Sequence, residues 1–445
     1  ALASNTTGAS NTAFGRAALD SNTTASNNTA MGHNALGLNT TGADNNALGS
    51  GALDANTTGG DNNAFGRNAL GVNTTGTGNT AMGHGALDAN TTADNNTGFG
   101  TNVLSGNTTG AGNTAVGYRT LFDNTTGDDN VAIGINALYN NTTGSYQIAI
   151  GRNALLNSDG VSTNVAVGYN TGAAITTADS CTIMGYIAGD ALTTGSDNTA
   201  IGYGALTSAT TGDSHTIMGF EAGEDLTTGA HAVYLGFRAA YNATTGNYNT
   251  VIGSNSAAQL TTGSGNTVLG YGAGTGIIEA TGNILIGYDA ENTSGSTTEI
   301  VIGYSATGKG ANTGFIAPTG SGGMYQGNNS SSWSTTSDKR IKKNIEDNNT
   351  GLDAINQIQV KNFEYRTKDE ITDFDNLDSV VVNKEGTQLG VIAQEIETIL
   401  PDMVETQSTG VKTVNPDNMT WYLVNAVKEL SAEVEKLKTK LNEGE

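Results

Sequence analysis

The stretch Asn28-Thr29-Ala30-Met31-Gly32-His33-Asn34-Ala35-Leu36-Gly37-Leu38-Asn39-Thr40-Thr41-Gly42 decides the fold, because the chain repeats it. A glycine preceded by a bulky apolar residue recurs from Gly15, Gly32 and Gly49 to Gly287, always 17 residues apart, and ends at Gly303 after a step of 16. That makes 18 rungs over residues 1–303. Seventeen residues are too few for two helices, and Gly, Asn and Thr are poor helix formers. Asn-Thr-Thr-Gly is turn chemistry, since Asn and Gly accept left-handed backbone. A constant short period of this kind predicts a parallel β-solenoid or β-roll with one coil per repeat. Coils stacked at about 4.8 Å give a rod of roughly 85 Å.

Two apolar columns are expected to fill the coil. One is the residue before each glycine: Phe14, Met31, Leu48, Phe65 and onward to Ile286 and Ile302. The other lies four residues after it: Leu19, Leu36, Leu53, Leu70 and onward to Leu206. Where that leucine becomes Gly172, Gly189, Gly223 or Gly274, an apolar residue arrives three positions later, as Ile175, Leu192, Leu226 or Ile277. The rung of Gly253 behaves alike, with Ala257 and Leu260. Such compensation is expected of a shared interior. Two large side chains per coil make a thin core against the entropy of ordering 17 residues, so an oligomer is expected. Small Ala and Gly residues on the alternate face are expected to admit another chain.

Other readings of the repeat are weaker. The Asn-x-Thr sequons follow from the turn consensus. The threonines are too scattered for a flat ice-binding face, and the acids too few per rung for repeated calcium sites. Arg16, Arg67 and Arg152, with His33 and His84, directly follow their glycine, and Arg119 and Arg238 come one place later. They form a sparse basic rim, expected to pair with Asp20, Asp54 or Asp88. Tyr118, Tyr169, Tyr186, Tyr203, Phe220, Phe237, Tyr271, Tyr288 and Tyr304 form an aromatic column, which either packs between chains or stacks sugars.

The net charge of −23 argues against nucleic acid or anionic membrane as partner. No apolar run is long enough for membrane insertion as a helix, and no secretory leader opens the chain. Cys181 is the only cysteine, so no intrachain disulfide or cysteine metal site is expected. No cofactor or metal is expected. Residues 1–308 hold no Lys or Pro, whereas 337–445 hold 13 Lys/Arg and 21 Asp/Glu. The shift marks a boundary, with 304–336 a Gly/Ser-rich connector or short intertwined shaft. Ala1 is not an initiator methionine, which leaves room for an upstream virion-attachment segment.

After the boundary comes Ser337-Asp338-Lys339-Arg340-Ile341-Lys342-Lys343-Asn344-Ile345, then Leu352-Asp353-Ala354-Ile355, Phe363-Glu364-Tyr365, Leu389-Gly390-Val391-Ile392-Ala393-Gln394-Glu395-Ile396 and Leu423–Leu430. Leu423, Val427, Leu430, Val434, Leu437 and Leu441 alternate steps of four and three, a heptad seam on a helix over 419–441. In these motifs the segment 337–445 resembles the intramolecular chaperone auto-processing domain that ends phage endosialidases, tailspikes and tail fibres. The repeat resembles the β-roll heads of trimeric autotransporter adhesins and, more closely, the repeats of phage tail fibres.

The resemblance implies a small α+β chaperone domain that trimerises, sets the register of the solenoid and then cuts itself off. It implies Ser337 as nucleophile, Lys342 as general base and Thr336–Ser337 as the scissile bond. A lysine partly removed from water can serve as such a base. The chain as a whole reads as a homotrimeric phage tail fibre, located in the virion and attaching to a host receptor or glycan. A bacterial cell-surface adhesin is the alternative. Any enzymatic activity is a single cut in cis.

Overall fold

The computed structural model describes residues 1–319, 322–326, 333–334, 339, 342–374, 381–382, 384–407 and 409–444. The chain forms two compact units, Ala1–Thr336 and Ser337–Glu445.

The first unit is a parallel β-solenoid. Each coil gives one three-residue strand, from β1 (Thr12–Phe14) to β17 (Ile284–Ile286), and β18 (Ile300–Tyr304) ends the series. Neighbouring strands pair in parallel at the repeat step: Ala30 lies opposite Ala47, and Leu285 opposite Val301. Strand β19 (Gly314–Thr319) adds a parallel neighbour to β18. Strands β20 (Gly322–Gln326) and β21 (Trp333–Ser334) then continue the sheet antiparallel. Phe315 and Ala317 join the solenoid core.

The motif glycine is fixed by the stacking. Gly66 has φ of +147°, and a Cβ on it would lie 2.3 Å from the carbonyl oxygen of Gly83 in the next coil. No side chain fits there at the spacing the backbone hydrogen bonds impose.

The interior corrects one expectation. The leucine column is fully buried, and so are Ile175, Leu192, Leu226, Leu260 and Ile277. The residue before each glycine is not: Phe14 is 74 % exposed, Met31 42 % and Leu269 43 %, and Ile286 and Ile302 are half-buried. The central residue of each strand points inward instead, as Ala30, Ala47, Ala64 and Ala81. Side chains alternate across a strand, and the narrow coil has room for a small residue beside each leucine. The small face expected to receive another chain is therefore the core, and the bulky face looks outward.

Volume is conserved inside the coil. Rungs with Leu carry a small central residue; the rungs of Gly189, Gly223 and Gly274 carry Ile183, Ile217 and Val268. A Cβ on Gly172 would lie 3.0 Å from Ile175 and 3.2 Å from Leu155. At 0 % exposure Tyr234 is the largest such insertion, and its rung has only Ala240 and Ala243 beside it.

Two buried asparagine ladders complete the interior. In one, Asn73 Nδ2 donates to Asn56 Oδ1 of the preceding coil at 2.9 Å and to the Gly76 carbonyl at 3.0 Å. In the other, Asn45 Oδ1 accepts the backbone N–H of Asn62 at 3.0 Å, and Asn45 Nδ2 donates to the Gly59 carbonyl at 2.9 Å. A side-chain amide carries both donor and acceptor, so one residue type satisfies the turn backbone of each coil. The first ladder runs out after Asn141, where Ser158 and Gln147 bond each other at 2.7 Å. In the second, His215 stands where most coils have Asn. Its Nδ1 accepts from the Ala232 N–H at 3.2 Å, while Nε2 is buried without a partner.

Two tests follow from this packing. Gly172→Leu and Ile175→Asn should each destabilise the chain, the first by overpacking and the second by a cavity with an extra buried amide. Their combination restores the consensus coil, so the double variant should be more stable than the sum of the singles by about 0.5–3 kcal/mol, read by denaturant unfolding. Burial depresses His215 to about 4 from an ordinary 6.5. The unfolded chain then binds the extra proton between those values, so stability should fall as pH drops from 6.5 towards 4, by up to about 3 kcal/mol. His215→Asn should remove that component; an unchanged pH profile would refute the assignment.

Candidate functional site

The second unit is small. It comprises α1 (Leu352–Gln357), the antiparallel pair β22 (Lys361–Phe363) and β23 (Gln388–Gly390), α2 (Ala393–Ile399), the pair β24 (Val404–Thr406) and β25 (Lys412–Val414), and α3 (Met419–Asn442). Pro401 ends α2 by opening a turn of 3₁₀ helix, as a residue without an N–H donor does. A modest core of Ala354, Ile396, Leu400, Met403 and Tyr422 joins the helices. Tyr422 Oη donates to Asp402 at 2.7 Å, and Asn418 Nδ2 donates to the same oxygen at 3.0 Å. Burial and the Asp402 carboxylate push the Tyr422 phenol up to about 12.

Of the residues implicated in self-cleavage, Thr336 and Ser337 lie outside the described residues. Lys342 is exposed, and its backbone N–H donates to the Lys339 carbonyl at 3.2 Å. The stretch from Glu346 to Thr350 is exposed and forms no helix or strand.

This arm is tied down at its far end by α3. Asn425 Nδ2 donates to the carbonyls of Asn348 at 2.8 Å and Thr350 at 3.1 Å. Glu429 Oε2 accepts the Leu352 N–H at 2.8 Å, at the start of α1. Gly351 makes the close approach possible, since a Cβ there would lie 2.8 Å from the Ala426 nitrogen. Asn425 and Glu429 are four residues apart and so share one helix face. A shallow cleft of 350 Å³ lies here, lined by Asp347, Asn348, Asn349, Asn425, Lys428 and Glu429. The sequence offered the spacing of Asn425 and Glu429 but nothing to say what they hold.

Helix α3 buries Tyr422 and Ala426, which lie off the heptad seam. The seam is left open: Val427 is 64 % exposed and Leu437 65 %, with Leu423, Leu430, Val434 and Leu441 also exposed. Among the described residues no group of three or more His, Cys, Asp or Glu could hold a metal, and no helix is long and apolar enough to cross a membrane.

Residues 337–405 match the family described as chaperone of endosialidase. The match begins at Ser337, where the second unit begins, and stops short of α3, whereas the resemblance drawn from the motifs reached the last helix. No curated protein matches the chain. The chain thus carries an endosialidase-type chaperone domain after a β-solenoid.

The anchoring of the arm is testable by hydrogen exchange. Glu429→Gln and Asn425→Ala should each speed exchange at the Leu352 N–H and its neighbours. For Glu429→Gln the loss of a charge-assisted bond, about 1.5 kcal/mol, corresponds to roughly tenfold.

Proposed function

We propose that this chain is a homotrimeric fibre of a phage tail, which attaches the virion to a host receptor or glycan. Its C-terminal unit acts as an intramolecular chaperone that trimerises first, sets the register of the solenoid and then releases itself. One observation carries the reading: both units present a linear apolar surface with no partner in the single chain. On the solenoid it is the outward column from Phe14 to Leu269, and on α3 it is the heptad seam. Contiguous exposed apolar surface of this kind marks an association site. A repeating surface is matched best by another with the same period, which is a second and third copy in parallel. A whole-rung slip changes little in a 17-residue repeat, so the register is set from one end, by the unit that is not repetitive.

Release follows from the same assembly. Ser337 Oγ attacks the Thr336 carbonyl carbon while Lys342 Nζ takes the hydroxyl proton. The protonated Lys342 returns that proton to the departing Ser337 nitrogen, so the Thr336–Ser337 peptide bond breaks as the Thr336 ester of Ser337 Oγ forms; water then hydrolyses the ester, leaving a Thr336 carboxylate and a free Ser337 hydroxyl. Lys342 is exposed in the single chain. Desolvation, which suits a lysine to be a base, is supplied by neighbouring copies, so the cut waits for the trimer. An upstream partner joins the fibre to the virion.

Light scattering of Ser337→Ala, which stays whole, should give the mass of three chains, and adding Leu430→Asp with Val434→Asp should reduce it. A monomer mass for Ser337→Ala would sink the trimer. On denaturing gels the wild type should yield a fragment ending at Thr336, while Ser337→Ala and Lys342→Ala stay whole. A folded wild-type trimer that remains whole would disprove self-cleavage.

A further inference from the structure

One coil breaks the repeat. The step from Gly287 to Gly303 is 16 residues, and Glu291 stands at the leucine position of that coil. Glu291 reaches back to the coil before it. Its Oε1 accepts the Thr275 N–H at 2.9 Å and the Thr275 hydroxyl, and its Oε2 accepts the Gly276 N–H at 2.9 Å. Asn292, next along, is 4 % exposed. Its Nδ2 donates to the Ser296 carbonyl at 3.0 Å, while its Oδ1 is buried without a hydrogen-bond partner.

The two free oxygens converge. A Cβ on Gly276 would lie 3.2 Å from Glu291 Oε2 and 3.7 Å from Asn292 Oδ1, with nothing else within 4 Å beyond the adjoining residues. Two acceptors facing one point repel unless a donor or a cation joins them. Charge decides between those. Among the described residues neither Glu291 nor Glu299 forms an ion pair. Glu299 is 0 % exposed and accepts only from neutral donors nearby, the Thr293 N–H at 2.7 Å and its hydroxyl at 3.1 Å among them. Lys309 lies over the Phe315 ring instead, 4.5 Å from its centroid. A bridging water would satisfy the two acceptors and leave these charges unneutralised, whereas a cation answers both.

We infer that Glu291 Oε2 and Asn292 Oδ1 are protein ligands of a calcium ion seated over Gly276. The place opens onto a cleft of 540 Å³ lined by Gly276, Glu279, Ser294, Gly295 and Thr297. Glu279 brings a second carboxylate from the cleft wall, and water completes the roughly six to eight oxygens that calcium takes. An all-oxygen set selects a hard cation, and an irregular loop suits calcium better than magnesium, which demands a near-ideal octahedron. Calcium accepts amide oxygens, so three acidic side chains are not required. The ion fastens the loop of the irregular coil to the coil before it, at the end of the solenoid. This site is independent of the fibre reading.

The test titrates calcium chloride into full-length Ser337→Ala by calorimetry, with magnesium chloride alongside. One calcium per chain should bind with a dissociation constant of about 10⁻⁴–10⁻³ M, and magnesium roughly tenfold more weakly. Gly276→Ala sets a methyl between the two oxygens without removing either. Gly276 is not among the left-handed glycines, so this variant should keep its calcium-free melting midpoint and lose calcium binding. Asn292→Asp acts in the opposite sense. It loses the bond to Ser296 and should melt lower without calcium, while its added charge should tighten calcium roughly tenfold and let calcium restore the midpoint. A chain that binds no calcium in this range would overturn the inference. So would binding that Gly276→Ala leaves intact, or an Asn292→Asp chain that binds no tighter.

Discussion

Coil-on-coil stacking through parallel backbone hydrogen bonds governs the solenoid. Each coil must present its neighbour with the same backbone path at the same height, so every position inherits the constraints of its column. The motif glycines meet the next coil's backbone too closely for a Cβ. The turn amides inside the rod are buried from solvent, and asparagines serve as their donor and acceptor. The interior volume is then nearly constant, which is why Leu, Gly, Ala and Ile exchange in linked sets and not singly.

The same constraint decides what faces outward. A three-residue strand has one inward position, and the coil fills it with alanine over most of its length. The larger residues on either side of it form a continuous outer surface. Irregular coils interrupt this uniformity: His215 and Tyr234 place a titratable group and a large ring where the consensus has Asn and Ala.

The C-terminal unit works by different physics. Its core is small, and much of its order comes from polar ties such as Tyr422 to Asp402 and the Asn425 and Glu429 bonds to residues 348–352. Helix α3 has two roles on two faces, one anchoring the arm that follows the junction and one holding an apolar seam open.

The sequence alone determined the solenoid, its rung count, the compensation between Leu and Ile columns, the change of character at the junction and the final helix, because each is a periodicity or a composition that survives without coordinates. It put the residue before each glycine inside, where the structure has the alanine that precedes it, since period-two patterning is symmetric until the size of the enclosed space is known. It placed Asn in the turn consensus but not in ladders, because a ladder is a relation between coils. Nor could it separate Arg119 from Arg238. Both come one place after their glycine, and the carboxylate that pairs with Arg238, Glu221, lies 17 residues away, brought beside it only by the stacking of the coils.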